Sequence, residues 1–549
     1  MSRPDHDWDV IVVGSGAGGL TAAVALSNVG KRVLVLEQHY LPGGWTHSFS
    51  LDGHRFSPGV HYIGQLGEGG RTREILEGIG VGGLIEFNEL NPDGYDHIVF
   101  SDETFDIPRG KQRFIDRLVE RFPDEKAGID DYFRLLERVS AGIDTAATCQ
   151  GLLGIPLPML RAPALLRHGF RAASRVIERF ARDDRLKAIL EARSGDHGMS
   201  PDNVPFALHA AIETHYWEGA WYPVGGGGAF PKAMITRLKQ NGGGIRTRTR
   251  VDRILVQSAG RRRRAVGVEL QGGEQLHADV VLSNADAWVT YQQLLQPETL
   301  STKLRRKIER MRPSVSALSL FLATDLDIDA LGLDSGNYWI LHDTRVAATY
   351  EFAESQVLDG QGKFPGIFVT ITTKKDPQKV RGGVHTVEAF TFVSDRPFRQ
   401  WSQTESGQRP EGYQRLKKTL TDRMLASLEQ LLPGIRDHLI VCELGSPLTN
   451  EHYLAAWQGN IYGPAKSRGQ IGPFALPITT EIPGLYHCGQ STAAHGVLGV
   501  MSTGIQAACA IAGCDEETLL RFQSAGIVRT HTPESSVPPA SDMELHVTH

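Results

Sequence analysis

A short β-branched run, Asp9–Val13 (DVIVV), passes directly into Gly14-Ser15-Gly16-Ala17-Gly18-Gly19 and then into a small-residue stretch from Leu20 to Asn28. Few folds accommodate that succession. The apolar run suits a parallel strand buried on both faces. Gly14, Gly16 and Gly19 have the G-x-G-x-x-G spacing. The first glycine permits a tight turn, the second lets backbone approach a pyrophosphate, and the third lets the helix pack on the strand. The helix that follows presents the unpaired N–H groups of its first turn to phosphate oxygens. After a turn at Gly30, a second apolar run, Arg32–Leu36, ends in Glu37. An acid about 20 residues past the glycines is placed to accept from ribose hydroxyls. The expected fold class is α/β, with a Rossmann-like dinucleotide-binding domain.

NAD and FAD share this fingerprint. Immediately after Glu37 the chain reads Leu41-Pro42-Gly43-Gly44-Trp45-Thr46, a second glycine turn where an NAD enzyme would continue toward a third strand. A turn at that point suits a loop lying along a longer cofactor. No second complete fingerprint follows, because Gly242–Gly244 precedes a strand rather than a helix. Electrons would therefore come from or go to an external partner: a quinone, oxygen or a separate reductase.

At 549 residues the chain is too long for one hydrophobic core, since cores stop growing beyond about 250–300 residues. Its 22% charged residues and net charge of −5 give no global attraction to nucleic acid. Five cysteines are scattered without a CxxC pair, which fits a reducing compartment and offers no metal-ligand spacing. No stretch reaches about 18 consecutive apolar residues, so no transmembrane helix is expected. Met1 to Asp7 is short and polar, unlike a signal peptide. The expected location is cytoplasmic.

Several longer stretches carry a family likeness: Val33–Gly44 (VLVLEQHYLPGG), Phe56–Gly64 (FSPGVHYIG), Ala207–Gly228 (ALHAAIETHYWEGAWYPVGGGG), Val281–Asp286 (VLSNAD), Gly445–Ala456 (GSPLTNEHYLAA), Gly484–Gly489 (GLYHCG) and Gly496–Met501 (GVLGVM). On these the chain, from about Asp9 to about Ala512, resembles the retinol saturase and carotenoid isomerase group of the phytoene desaturase-like flavoproteins. The resemblance implies noncovalent FAD in a Rossmann-like domain assembled from discontinuous segments. It also implies an α+β substrate domain, with a mixed or antiparallel sheet, that encloses a long apolar substrate. The implied reactions are saturation, desaturation or cis–trans isomerisation of polyene double bonds. The cofactor residues so assigned are Gly14, Gly16, Ala17, Gly18, Gly19, Glu37, Gln38, Gly43, Gly44 and Trp45 from the first segment. Val251 belongs to the second segment, and Gly489, Gln490, Gly499 and Val500 to the third. Retinol saturases carry cysteines after the N-terminal glycine pair, where this chain has Trp45 and Thr46. Saturation is the favoured reaction of the three, with isomerisation or desaturation as the alternatives.

The cofactor domain is expected to use residues 1–70, 223–295 and 441–515, and the substrate domain 71–222 and 296–440. From about Arg529 the chain is Pro-, Ser- and Thr-rich, so 529–549 is expected to be a disordered tail. Arg261–Arg264 lies between two alternating stretches and reads as a solvated hairpin turn. Residues 151–180 set Leu, Phe, Val and Ile beside six basic residues from Arg161 to Arg179. That composition suits either a lid with a solvated basic face or an interfacial membrane contact.

A polyene offers no acidic proton and no polar handle, so the protein must position it against the flavin and exclude water. The expected substrate pocket draws on aromatic clusters: His61, Tyr216, Trp217, Trp221, Tyr453 and Trp457. Saturation places a hydride on one carbon and a proton on its neighbour. Tyr62 and His495, both in motifs expected beside the flavin ring, are the candidate proton donors. The alternative function from another class is a non-catalytic isoprenoid-binding escort.

Overall fold

The computed structural model describes residues 8–148, 161–259, 262–355, 357, 362–523 and 526–533. Two sheets carry the architecture. In the first, Gly244–Arg246, Val33–Leu36, Trp8–Val13 and Gln275–Ser283 lie side by side and parallel. Leu485–His487 adds a further parallel strand beside the end of Gln275–Ser283. The third neighbour in this layer thus comes from more than 200 residues downstream of Glu37, as a discontinuous Rossmann-like fold requires.

Val10–Val13 and Val33–Leu36, rich in β-branched residues, are buried on both faces, because helices cover the sheet. The helix Ala17–Asn28 is apolar or small nearly all round and almost wholly buried, as a helix without a polar face must be. Gly496–Ala512 crosses it so closely that a Cβ on Gly504 would meet the Gly18 carbonyl oxygen.

The second sheet runs in the order Leu439–Gly445, Ser316–Thr324, His385–Val393, Gly366–Ile371, Asn337–Leu341, Asp96–Val99, Thr104–Ile107. Asn337–Leu341 and Asp96–Val99 are parallel and the other pairs antiparallel. This is a mixed sheet. Its strands come from both stretches assigned to the substrate domain. The boundary expected at residue 441 falls inside Leu439–Gly445, which pairs with Ser316–Thr324, so that strand belongs with the second sheet.

Two further expectations are corrected by pairing. Arg262–Arg264 are not turn residues: they pair with Gln257–Ala259 across the Val251–Ala259 and Arg262–Leu270 hairpin. Ladder hydrogen bonds outweigh the charge run there, since arginine stems lie along a sheet while their heads reach solvent. Arg529–His531, assigned to the tail, form a strand parallel to Glu86–Asn88. Residues 534–549 lie outside the described residues. So do 149–160, including the whole GLLGIPLPML stretch; the described part of the 151–180 segment contains the helix Pro163–His168, with Leu166 exposed. Among the described residues, no helix is long and apolar enough to cross a membrane.

Candidate active site

The parallel strands end together at a cavity lined by Val13, Gly14, Leu36 and Glu37. Strand C-termini of an open α/β sheet are where such folds bind ligands. Gly14 has φ +93°, a conformation that only glycine adopts without strain. The other glycines of the turn answer to Asn284. A Cβ on Gly16 would come within 2.7 Å of its side-chain amide, and one on Gly19 would lie 2.6 Å from the Gly14 carbonyl oxygen. Gly19 therefore stands away from the cavity and lets helix meet strand, while Gly14, Gly16, Ala17 and Gly18 line it.

Glu37 gathers the turn. Its Oε2 accepts from the Ser15 amide at 3.0 Å and the Ser15 hydroxyl at 2.6 Å, and its Oε1 from the His39 amide at 2.8 Å. The Gly43 amide donates to Ser15 Oγ at 2.9 Å, which ties the second glycine turn to the first. Gln38, Gly43, Gly44, Trp45 and Val251 also line the cavity. From the C-terminal segment Gly489, Gln490 and Val500 reach it, whereas Gly499 does not and packs toward Ala494.

The polar groups left over match a dinucleotide. The amides of Ala17 and Gly18 open a helix, where no intrahelical acceptor precedes them. The Trp45 Nε1 and His39 Nε2 atoms are buried without a partner, each beside the cavity. A cofactor with phosphates at the helix and ring acceptors along the loop would fit these groups.

Past the glycine turns the lining becomes apolar. The second sheet contributes Ala317, Phe368 and Phe390, and the chain after the Trp457 turn contributes Ile461 and Tyr462. Phe368 and Phe390 are cross-strand partners with rings stacked at 4.6 Å. His61 lies over both, at 5.2 Å and 5.5 Å, with its Nδ1 3.5 Å from Glu388.

Tyr62 and Asp196 bring the polar chemistry to this end. The Tyr62 hydroxyl donates to Asp196 Oδ2 at 2.8 Å, and both residues line the cavity. Burial, and then the charge of Asp196, push the Tyr62 phenol well above its usual range. Burial, seconded by the charge of Asp96, raises the Asp196 carboxyl to about 7.

Behind them lies a buried ion network. Arg193 pairs with Glu213 and donates to the Tyr95 hydroxyl at 2.7 Å, with Asp96 3.9 Å away. Asp96 in turn accepts from Asn337 at 3.0 Å and Trp339 at 3.1 Å. Lys375 donates to the His61 carbonyl at 2.6 Å and also to Asn337.

The other residues expected at the substrate pocket separate. Tyr216 is one layer back, stacked on Tyr62 at 4.3 Å and 7°. Trp217 stacks on Phe133 in the helical core, Trp221 is held in a strand against Ile63, and Trp457 lies flat on Trp288 at 4.3 Å. None of these four lines the cavity. Their rings do the work aromatic residues most often do, which is to fill cores. Tyr453 does line it, but edge-on to His39 at 5.3 Å, at the nucleotide end.

His495 is displaced from its expected role as well. Its Nε2 donates to the Asp196 carbonyl at 3.0 Å, so Nδ1 carries the lone pair. Burial, and then nearby His197, hold its pKa well below the usual histidine range. His495 is not among the residues that line the cavity, and its Nε2 is directed to backbone. The site residues that sequence reasoning misses are Asn284, Asp196, Phe368, Phe390 and Tyr462. Only Asn284 stood in a recognised motif, VLSNAD.

A family profile described as flavin containing amine oxidoreductase matches residues 17–512. The all-trans-retinol 13,14-reductase of Danio rerio is 31% identical over 528 residues, covering 91% of this chain and 85% of that protein. The chloroplastic prolycopene isomerase of Daucus carota is 26% identical over 529 residues, covering 92% of this chain and 80% of its own length. Among solved structures, an oxidoreductase from Methanosarcina mazei superposes with a TM-score of 0.62 at 18% identity, over 91% of this chain and 99% of that one.

Proposed function

Because the chain belongs to the family of flavin-containing amine oxidoreductases, we propose that its flavin is FAD and that it acts on carbon–carbon double bonds of an apolar polyene, saturation being the favoured reaction. The polyene class comprises retinoids, carotenoids and related isoprenoid lipids. One observation carries this reading: a glycine-lined end of the cavity opens into an aromatic and aliphatic wall in which Tyr62 and Asp196 form a hydrogen-bonded pair. The similarity to a retinol reductase over nearly the whole chain supports the same reading.

When bound, the flavin supplies the hydride that adds to the double bond. The protein's part is binding, orientation and exclusion of water. Phe368, Phe390 and His61 give the substrate flat surfaces, and Tyr62 is fixed by its stack on Tyr216. Electrons come from an external reduced partner. Cis–trans isomerisation is the second reading, favoured by the similarity to prolycopene isomerase at equal coverage.

Product mass spectrometry tests the choice. FAD-loaded protein is given reduced flavin and a panel of retinoids and carotenoids without oxygen. A product heavier by one hydrogen pair is the expected result. A product of unchanged mass and new retention time replaces saturation with isomerisation. A product lighter by a hydrogen pair, formed when an acceptor replaces the reductant, replaces it with desaturation. Protein that is colourless and takes up no flavin points to an escort.

Glu37 gives an independent check on the cofactor. Hydrogen bonds to a charged acceptor contribute about 1.5–3 kcal/mol. Glu37→Gln replaces a cavity-lining carboxylate that gathers three protein donors. Flavin affinity is expected to fall about 10- to 100-fold, read by the fluorescence of released flavin. A change below about twofold removes Glu37 from the cofactor site.

A further inference from the structure

We propose that Tyr62 and Asp196 form a proton-delivery pair: the Tyr62 hydroxyl protonates the carbon beside the one that takes the hydride, and the Asp196 carboxyl restores the proton to Tyr62. The inference rests on the saturation reading above and names the source of its second hydrogen.

Geometry selects the pair. Tyr62 and Asp196 are 2.8 Å apart, and both face the cavity. The tyrosine ring is clamped by Tyr216, and the next residue, Ile63, exchanges two backbone hydrogen bonds with Trp221 at 2.8 and 2.9 Å. Asp196 sits near the end of the 3₁₀ turn Ala192–His197, which closes at Gly198. Gly198 has φ +58°, and a Cβ there would lie 2.8 Å from the Tyr462 ring. His495 holds the Asp196 peptide through its Nε2–H, and is thereby a positioning residue.

The charged groups around Asp196 define its titration. Arg193, Glu213 and Asp96 lie behind it, and Arg193 is committed to Glu213 rather than to Asp196. The phenols of Tyr216, Tyr350 and Tyr462 face it from three other elements, and neutral His197 and His495 flank it. No cation pairs with it directly among the described contacts. With the carboxyl raised to about 7 by burial, much of the protein carries a protonated Asp196 at neutral pH. A protonated carboxyl donates to the phenolic oxygen, which frees the phenol proton for the substrate.

The step balances. The double bond is reduced by two electrons carried in the hydride, and the flavin is oxidised by the same two. The Tyr62 O–H bond breaks as the new C–H bond forms, the Asp196 proton moves to the phenolic oxygen, and solvent later reprotonates Asp196. The wild-type rate of saturation therefore falls as pH rises through about 7, where Asp196 loses its proton.

The test uses the flavin-loaded holoenzyme with the polyene that the wild-type protein reduces. Asp196→Asn is expected to keep its flavin and bind that polyene within about twofold, read by polyene absorbance. Saturated product is expected to fall about 10²- to 10⁴-fold, with the inflection near pH 7 gone. Infrared difference spectra give a readout apart from turnover: a protonated-carboxyl band titrating near pH 7 in the wild type, absent in Asp196→Asn and shifted in frequency in Tyr62→Phe. Tyr62→Phe loses saturation to a similar degree, and the double variant loses little more. If Asp196→Asn saturates at the wild-type rate with the wild-type pH profile, the pair is overturned and the proposed function stands. A wild-type enzyme that isomerises without saturating overturns both.

Discussion

Gly504→Ala is expected to purify with less than a tenth of the wild-type flavin. The added Cβ falls on the Gly18 carbonyl oxygen, closer than carbon and oxygen can approach, with the Ala22 amide nitrogen 3.3 Å away. Both obstacles are backbone, so no side chain can swing aside. The helix Gly496–Ala512 must move off Ala17–Asn28, and it takes Val500 with it. Val500 and Gly18 both line the cavity, so the displacement opens the site at the first-turn amides, where a phosphate would be held. Forcing one extra carbon into a packed interface costs about 1–3 kcal/mol of stability. The flavin:protein absorbance ratio and thermal unfolding measure the two effects. Gly469→Ala is the control, since nothing lies within 4 Å of its Cβ position; equal flavin in both variants would refute the close crossing.

Arg193→Met is expected to cost about 3–5 kcal/mol of stability, the largest loss of any single substitution considered. Arg193 and Glu213 are each 1% exposed, and Asp96 is fully buried. Removing the guanidinium leaves the buried Glu213 without its counter-charge, takes away one of the two cations that act on Asp96, Lys375 being the other, and leaves Tyr95 without its donor. Restoring balance is the informative half of the experiment. Arg193→Met with Glu213→Leu removes both members of the pair and recovers most of the loss, because a matched apolar replacement is often neutral. Denaturant unfolding of the wild type, the single variant and the double variant decides it. A single-variant loss below about 1 kcal/mol would mean that the network contributes little.

The legibility of this molecule divides by sequence distance. The Rossmann-like half is readable because its signals are local: β-branched strand, three glycines at fixed spacing, then an acid after the second strand. Trp8–Val13, Ala17–Asn28 and Glu37 follow directly from them. The substrate wall is not local. Gly366–Ile371 is buried along its whole length and His385–Val393 nearly so. Their apolar residues therefore do not announce which face meets the cavity, and pairing register decides it. Trp217, Trp221 and Trp457 illustrate the same ambiguity from the other side, since a tryptophan in a core and one in a pocket look alike in sequence. Tyr62 was visible through its motif, yet its partner lies 134 residues away in a 3₁₀ turn, and no spacing rule joins them. The correction at His495 turns on one hydrogen bond to a backbone carbonyl, which fixes a tautomer that no pattern of letters encodes.

The three-part assembly of the first sheet also bears on how the protein is made. Trp8–Val13 takes one neighbour from Val33–Leu36, but its other, Gln275–Ser283, leaves the ribosome some 270 residues later, and the helix Gly496–Ala512 later still. At about 5–20 residues per second, roughly half a minute to a minute and a half of synthesis separates the first wall of the cavity from the last. Until Gln275–Ser283 emerges, the nascent chain holds an apolar strand with an open edge, a template for pairing with other chains. Yield in a foreign host is thus expected to respond more to chaperone supply during elongation than to added flavin, since the last wall of the cavity is made only when the chain is nearly complete.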